Sequence, residues 1–336
     1  MRRSPNAPPD ALIVPGLLTG PMAQKWTAAD IPDQAGRTAI VTGANSGLGL
    51  ETALALAQHG ARVTLAVRDT AKGDDAARGI AARAPGADVE VRRLDLADLA
   101  SIAEFSADWR EAHPDGLDLL INNAGVMAIP HKRTADGFEM QFGTNHLGHF
   151  ALTGRLLDAL QPGARVVTVS SQAHRMGKMN FDDLMGERKY RTWGAYGQSK
   201  LANVLFMREL ARRLAAAGLP VISAGAHPGY SSTHLQAVGP EMRGRAWESK
   251  VMALVTKVMA QGADMGALPT LYAATYPGIV NGDYVGPDGF GEQRGHPRLV
   301  GMSGAARDVS DAAQLWTVSE ELTGVHYLDE ATTSSS

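Results

Sequence analysis

The sequence predicts an α/β fold: a doubly wound parallel sheet forming a single domain, with inserted segments over one edge. Three observations predict it. From Arg37 onward, short β-rich runs alternate with Ala/Leu-rich stretches of helical length, the pattern of a parallel sheet covered on both faces. The first run passes directly into a glycine-rich turn, Thr42-Gly-Ala-Asn-Ser-Gly-Leu-Gly49, and then into a helix. Finally, 336 residues of which 44% are hydrophobic suffice for one large core.

The elements follow in order. Strands are predicted at Thr38–Thr42, Arg62–Val67, 89–94, Leu117–Asn122, 165–170 and 220–226, with a late one at 283–285. Helices are predicted to start near Leu48, Thr70, Leu99, Met140, Gly194 and Ala263, the fourth running over 140–160. Two segments depart from simple alternation. Residues 172–193 form a polar insertion, and 233–261 carry Trp247, Val251, Leu254, Val255 and Met259 at helical spacing. Both leave the carboxyl edge of the sheet, where open α/β sheets bind ligands, so both are expected to wall a substrate pocket, as mobile lids or, equally, as helix packed on the core. The organisation expected is an arm over 1–36, a domain over 37–330 and a disordered Thr/Ser tail at 331–336.

Composition narrows the function. A net charge of −3 with 20% charged residues gives no basic footprint, so no nucleic-acid partner is expected. The chain has 0 cysteines, which excludes disulfides, thiolate metal sites and a cysteine nucleophile and fits a reducing, cytoplasmic location. The apolar stretch 11–18 is too short to cross a bilayer and is broken by Pro15 and Gly16, so no integral membrane segment is expected.

The glycine turn reads as a dinucleotide site. Gly43, Gly47 and Gly49 let backbone approach a pyrophosphate and aim amides at it from a helix start that includes Leu48. Their spacing is Gly-x-x-x-Gly-x-Gly rather than Gly-x-Gly-x-x-Gly, in the same Rossmann-like strand-turn-helix setting. At the end of the second strand an acid would hold a ribose 2′-hydroxyl, whereas Arg68 offers a cation for a 2′-phosphate. Asn45 and Ser46 can add hydrogen bonds, and Asp69 reads as the N-cap of the next helix. NADP(H) is therefore expected in preference to NAD(H). Asp95-Leu96 closes the third strand and borders the adenine; Asn122-Asn-Ala-Gly125 closes the fourth, where Ala124 and Gly125 leave room for the ribose.

Tyr196 and Lys200 lie four apart on a predicted helix and share a face. There an ammonium can stabilise a phenolate and draw its pKa down, making the tyrosine a proton donor and acceptor for an alcohol or carbonyl oxygen. Ser171 at the end of its strand can hydrogen-bond the reacting oxygen, and Asn145 can fix a water that links Lys200 to solvent. His146, His149, His174 and His227 are scattered over separate elements without ligand spacing, so no metal is expected.

With these pieces in this order, the chain resembles the short-chain dehydrogenases/reductases from Arg37 to Pro228. The family's glycine motif, Asn-Asn-Ala-Gly motif and catalytic Asn, Ser, Tyr and Lys match Thr42 to Gly49, Asn122 to Gly125, Asn145, Ser171, Tyr196 and Lys200. Its Pro-Gly motif matches Pro228-Gly229, which implies that Tyr230, Ser231 and Thr233 lie near the nicotinamide carboxamide and the pyrophosphate. Ala66-Val-Arg-Asp69, Asn145-His-Leu-Gly-His-Phe150, Ser199-Lys-Leu-Ala-Asn203 and His227-Pro-Gly229 are similar to the retinol-dehydrogenase and protochlorophyllide-reductase-like branch. The resemblance implies strand order 3-2-1-4-5-6-7 and NADP(H)-dependent interconversion of a carbonyl and an alcohol. It also implies a homodimer or homotetramer paired through the helices of Asn145 and Tyr196, or a monomer where the C-terminus is extended. The two insertions suggest a bulky apolar substrate. Reduction of an activated C=C bond, and a non-catalytic NADP(H)-sensing module, are the alternatives.

Overall fold

Burial on both faces explains why Thr38–Thr42 forms β1: all five residues are inaccessible, with Ala39 and Val41 turned to one side and Ile40 to the other. Such a continuous apolar run suits a central parallel strand. The computed structural model describes residues 25–229 and 262–328. The expected segment 233–261 and tail 331–336 lie outside the described residues, as do residues 1–24 of the expected arm.

Among the described residues, β1, β2 (Arg62–Val67), β3 (Val89–Arg93), β4 (Leu117–Asn122), β5 (Leu160–Val169), β6 (Ile222–Ala226), β7 (Tyr284–Pro287) and β8 (Pro297–Leu299) form one sheet in the order β3-β2-β1-β4-β5-β6-β7-β8. The order expected from the resemblance is found, extended by β8, which runs antiparallel to β7. On one face lie α1 (Gly47–Gln58), α2 (Thr70–Arg83) and α6 (Ala263–Thr275). On the other lie α3 (Leu99–Ala112), α4 (Gly148–Leu156), α5 (Thr192–Ala216) and α7 (Val309–Thr323). β1 pairs with both β2 and β4, so the strand order reverses at β1 and a crevice opens at the carboxyl ends of β1 and β4. Among the described residues no helix is long and apolar enough to cross a membrane.

Three features differ from expectation. The helix expected over 140–160 is interrupted: an α-turn at Met140–Phe142 passes into a π-helical stretch, Gly143–Leu147, before α4. A π stretch admits one extra residue per turn, and this one carries Asn145. Strand β5 begins at Leu160, with a register shift opposite Leu117 and Leu119, because Leu160 pairs with Leu117 before the chain turns at Gly163. Helix α7 was not expected. Asp308 caps it by accepting from Asp311 N, and Gly324 ends it in the left-handed region (φ 65°). Its buried stripe, Ala312, Leu315, Trp316, Ser319 and Thr323, packs onto α5 and the π stretch.

Candidate active site

The turn after β1 is built by close backbone approach. Gly43 has φ 66°, and a Cβ at Gly49 would stand 2.6 Å from both the Gly43 carbonyl oxygen and Asn123 Nδ2. Ser46, the N-cap of the twelve-residue α1, accepts no hydrogen bond from the helix through its side chain, so first-turn amides keep their donor capacity. Asn45, Ser46, Gly47 and Leu48 are half-buried along this edge. A glycine cradle at an uncapped helix start fits the pyrophosphate of a dinucleotide.

The strand ends are joined through Thr42 and His149. The Thr42 hydroxyl accepts from Asn123 N and Ala124 N, both at 2.9 Å, and lies 2.9 Å from His149 Nε2. His149 Nδ1 faces the Asn145 carbonyl at 3.0 Å and so carries the ring proton. Burial holds the ring neutral, with its pKa pushed down to about 4, and its Nε2 accepts from Thr42. Asn123 Nδ2 donates to Thr42 O at 2.8 Å, whereas Asn122 turns away from the edge and donates to Thr153 Oγ1 at 3.0 Å. Asn145 Oδ1 accepts from Val126 N at 2.7 Å; its Nδ2 donates to Val126 O and to Ser199 Oγ, both at 2.9 Å. Both ends of this carboxamide hold the loop after β4 against α5. A Cβ at Gly125 would lie 3.0 Å from Asn145 Oδ1 and 3.5 Å from Lys200 Nζ, which brings the Asn-Asn-Ala-Gly motif, Asn145 and Lys200 together.

Ser171 follows β5, with its side chain beside Tyr196 and its Oγ accepting from Ala173 N at 3.2 Å. Tyr196 and Lys200 are buried on α5, with Lys200 Nζ 5.9 Å from the phenol ring centre and donating to Val169 O at 3.2 Å. Their proton affinities correct the sequence expectation. Burial pushes the Tyr196 phenol up to about 12, opposed by the nearby Ser171 side chain, and pushes Lys200 down to about 8. The reason is loss of hydration, which disfavours the charged form of each. At neutral pH both groups therefore hold their protons. Trp193 packs edge-on to the Tyr196 ring, with centroids 6.0 Å apart.

At the adenosine end, Arg68 is exposed beyond β2. Asp69 caps α2: its carboxylate accepts from Lys72 N at 3.2 Å and pairs with Lys72 Nζ at 3.3 Å. Asp95 accepts from Ala97 N at 3.0 Å, and Leu96 is buried against Gly148. Pro228 and Gly229 follow β6 at the same edge, while Tyr230, Ser231 and Thr233 lie outside the described residues. Among the described residues no group of three or more His, Asp or Glu side chains is arranged to hold a metal ion.

The family profile described as short chain dehydrogenase matches residues 37–243. This chain belongs to the short-chain dehydrogenase/reductase family. It is an oxidoreductase fold of the kind that uses a nicotinamide dinucleotide on alcohol or carbonyl substrates, and it falls in the retinol-dehydrogenase-like branch. It is 44% identical to mouse (Mus musculus) retinol dehydrogenase 11 over 292 residues, covering 86% of this chain and 87% of the mouse protein. It is 43% identical to human (Homo sapiens) retinol dehydrogenase 13 over 296 residues, covering 86% and 85%. A crystal structure of an uncharacterized protein from Mycobacterium paratuberculosis superimposes with a TM-score of 0.75 at 47% identity, over 90% of this chain and 99% of that one. Another, named as an NAD(P)-dependent gluconate 5-dehydrogenase from Beutenbergia cavernae with NADP at low occupancy, gives a TM-score of 0.57 at 27% identity, over 74% and 94%.

Sequence reasoning about this short-chain dehydrogenase missed the positioning part of the site. Thr42, Asn123, His149 and Ser199 touch its expected catalytic residues or their neighbours through hydrogen bonds. For His149 a signal existed, since it lies four residues after Asn145 on a helical pattern. For Asn123 none did, because which of two adjacent asparagines faces the edge depends on how the chain leaves β4.

Proposed function

We propose that this chain is an NADP(H)-dependent oxidoreductase that interconverts a carbonyl and a primary or secondary alcohol on a bulky apolar substrate. One observation carries the reading: a buried Tyr196 beside Ser171, with Lys200 one turn along the same helix. Tyr196 gives its proton to the substrate oxygen in reduction and takes it back in oxidation. Ser171 holds that oxygen, and the protonated Lys200 stabilises the phenolate as it forms. Asn145 fixes the loop after β4 beside them. Gly43, Asn45, Ser46, Gly47, Leu48 and Gly49 would hold the pyrophosphate, and Asp95, Leu96, Ala124 and Gly125 the adenosine. Bound there, the nicotinamide supplies hydride to a carbonyl carbon or removes it from an alcohol.

The NADP(H) preference rests on Arg68 and on the engagement of Asp69 as a helix cap, which leaves Arg68 to meet a 2′-phosphate. NADP in the B. cavernae structure supports the same reading. The names of the mouse and human relatives support an alcohol or aldehyde group on an apolar substrate, and Trp193 beside Tyr196 supplies apolar surface. Residues 172–193 and 233–261 are proposed as the pocket walls of a domain over 37–330, and a cytoplasmic location rests on the absence of cysteine.

Titration with NADPH and NADH, followed by nicotinamide fluorescence, is expected to show tighter NADPH binding that Arg68→Ala abolishes. Tyr196→Phe is expected to lower turnover of an apolar aldehyde such as decanal by about a hundredfold or more while NADPH still binds. Normal turnover by that variant would overturn the reading. Product analysis with an enone separates carbonyl reduction from C=C reduction, since only the latter leaves the carbonyl intact.

A further inference from the structure

The loop between β7 and β8 reaches back over the site. Its Glu292 has φ 57°, a left-handed conformation rare for a residue with a side chain, and Gly291 before it has φ 61°. Gln172, next to Ser171, donates from Nε2 to the carbonyl oxygens of Gly291 at 2.6 Å and Glu292 at 2.9 Å. The Glu292 carboxylate takes Arg175 Nη2 on both oxygens, at 2.9 and 3.2 Å, and Arg175 also donates to Gly301 O at 2.8 Å. On its other side Glu292 Oε2 lies 3.2 Å from Nε2 of His227, a fully buried ring at the end of β6. Gly229 N donates to His227 Nδ1 at 3.3 Å, so the ring proton sits on Nε2 and points at Glu292.

We infer that Glu292 is a positioning residue whose carboxylate clamps the segment after Ser171 to the turn at Gly229. The inference rests on the proposed role of Tyr196 and Ser171. Arg175 and Gln172 belong to the stretch that Ser171 opens, while His227 fixes the amide of Gly229, where the chain turns at the nicotinamide end of the expected cofactor site. One carboxylate thus ties β5 to β6 across the site. An isolated surface ion pair contributes little, but this acceptor is shared by donors from two elements, one of them buried. The hydrogen bond from His227, with that from Arg175, holds Glu292 ionised, its pKa down to about 2. A strained backbone persists where its surroundings over-determine it, and here two side-chain partners and two carbonyl contacts do so.

Glu292→Gly and Glu292→Gln in the full chain test this. Glycine accepts the positive φ, so the first variant removes the clamp without straining the backbone. It is expected to melt at the wild-type temperature, bind NADPH about threefold or more weakly by nicotinamide fluorescence, and reduce decanal with kcat about tenfold lower. Glutamine keeps an acceptor for His227 and is expected to recover most of both. Wild-type NADPH affinity and kcat in Glu292→Gly overturn the clamp, as does equal loss in both variants. Should Glu292→Gly melt several degrees lower, the glutamine comparison decides alone: recovery supports the clamp and equal loss overturns it. Tyr196→Phe in the same series keeps the two readings apart. If that variant is inactive while Glu292→Gly behaves as wild type, only the clamp fails; if it is fully active, the proposed function fails.

Discussion

Burial moves the proton affinities of Tyr196 and Lys200 apart, to about 12 and about 8, because each loses water around its charged form. For a base, a folded pKa below the unfolded value means that the folded state binds fewer protons between the two. Stability contributed by Lys200 therefore rises with pH between about 8 and 10.5, and below about 8 its buried charge costs stability. Lys200→Met is expected to raise the melting temperature near pH 7 by roughly 2–6 °C while nearly abolishing turnover. Calorimetry beside a turnover assay checks this, and a lower melting temperature would mean that the bond to Val169 O outweighs the burial of charge. The same logic sets the direction of catalysis with pH. Reduction needs protonated Tyr196 and charged Lys200, so its rate is expected to fall as pH rises through about 8.

Two helical elements hold this pair. The π stretch lets Asn145 reach Val126 and Ser199 while His149, four residues on, bonds its carbonyl; a regular α-helix would space these groups differently. Behind it, α7 closes the outer face. Trp316 is fully buried between Phe150 of α4 and Phe206 of α5, Arg213 stacks over its ring at 4.5 Å, and Ser319 meets His146 Nε2 at 2.8 Å. Trp316→Ala leaves a large cavity against the two helices that carry the site. It is expected to cost about 3–5 kcal/mol of stability, read from denaturant unfolding. A loss below about 1 kcal/mol would show that α7 is dispensable for packing.

At the scale of the whole molecule, His146, His149 and His174 are held neutral by burial, with pKa values down to about 3, 4 and 4 from 6.5. Below pH 6.5 the unfolded chain binds protons that these rings refuse, so stability is lost as pH falls from about 6.5 towards 4. Each contributes on the order of 2 kcal/mol between pH 6.5 and 5, and the urea midpoint is expected to drop clearly over that range. A flat profile would contradict neutral buried rings. Much of the molecule was legible beforehand. Five buried residues from Thr38 to Thr42, running into glycines, define a central strand and a phosphate-binding turn whatever surrounds them, because periodicity and glycine conformation are local properties. The spacing of Tyr196 and Lys200 on one helix face is local in the same sense. What tertiary structure alone decided depends on partners distant in sequence. Glu292 meets Arg175 117 residues earlier and His227 65 residues earlier, and Thr42 meets His149 across 107. The same holds for the direction of the Tyr196 shift: the identity of a side chain sets its reference pKa, but only the packed fold fixes how much water it loses and how far away its neighbouring charge stands.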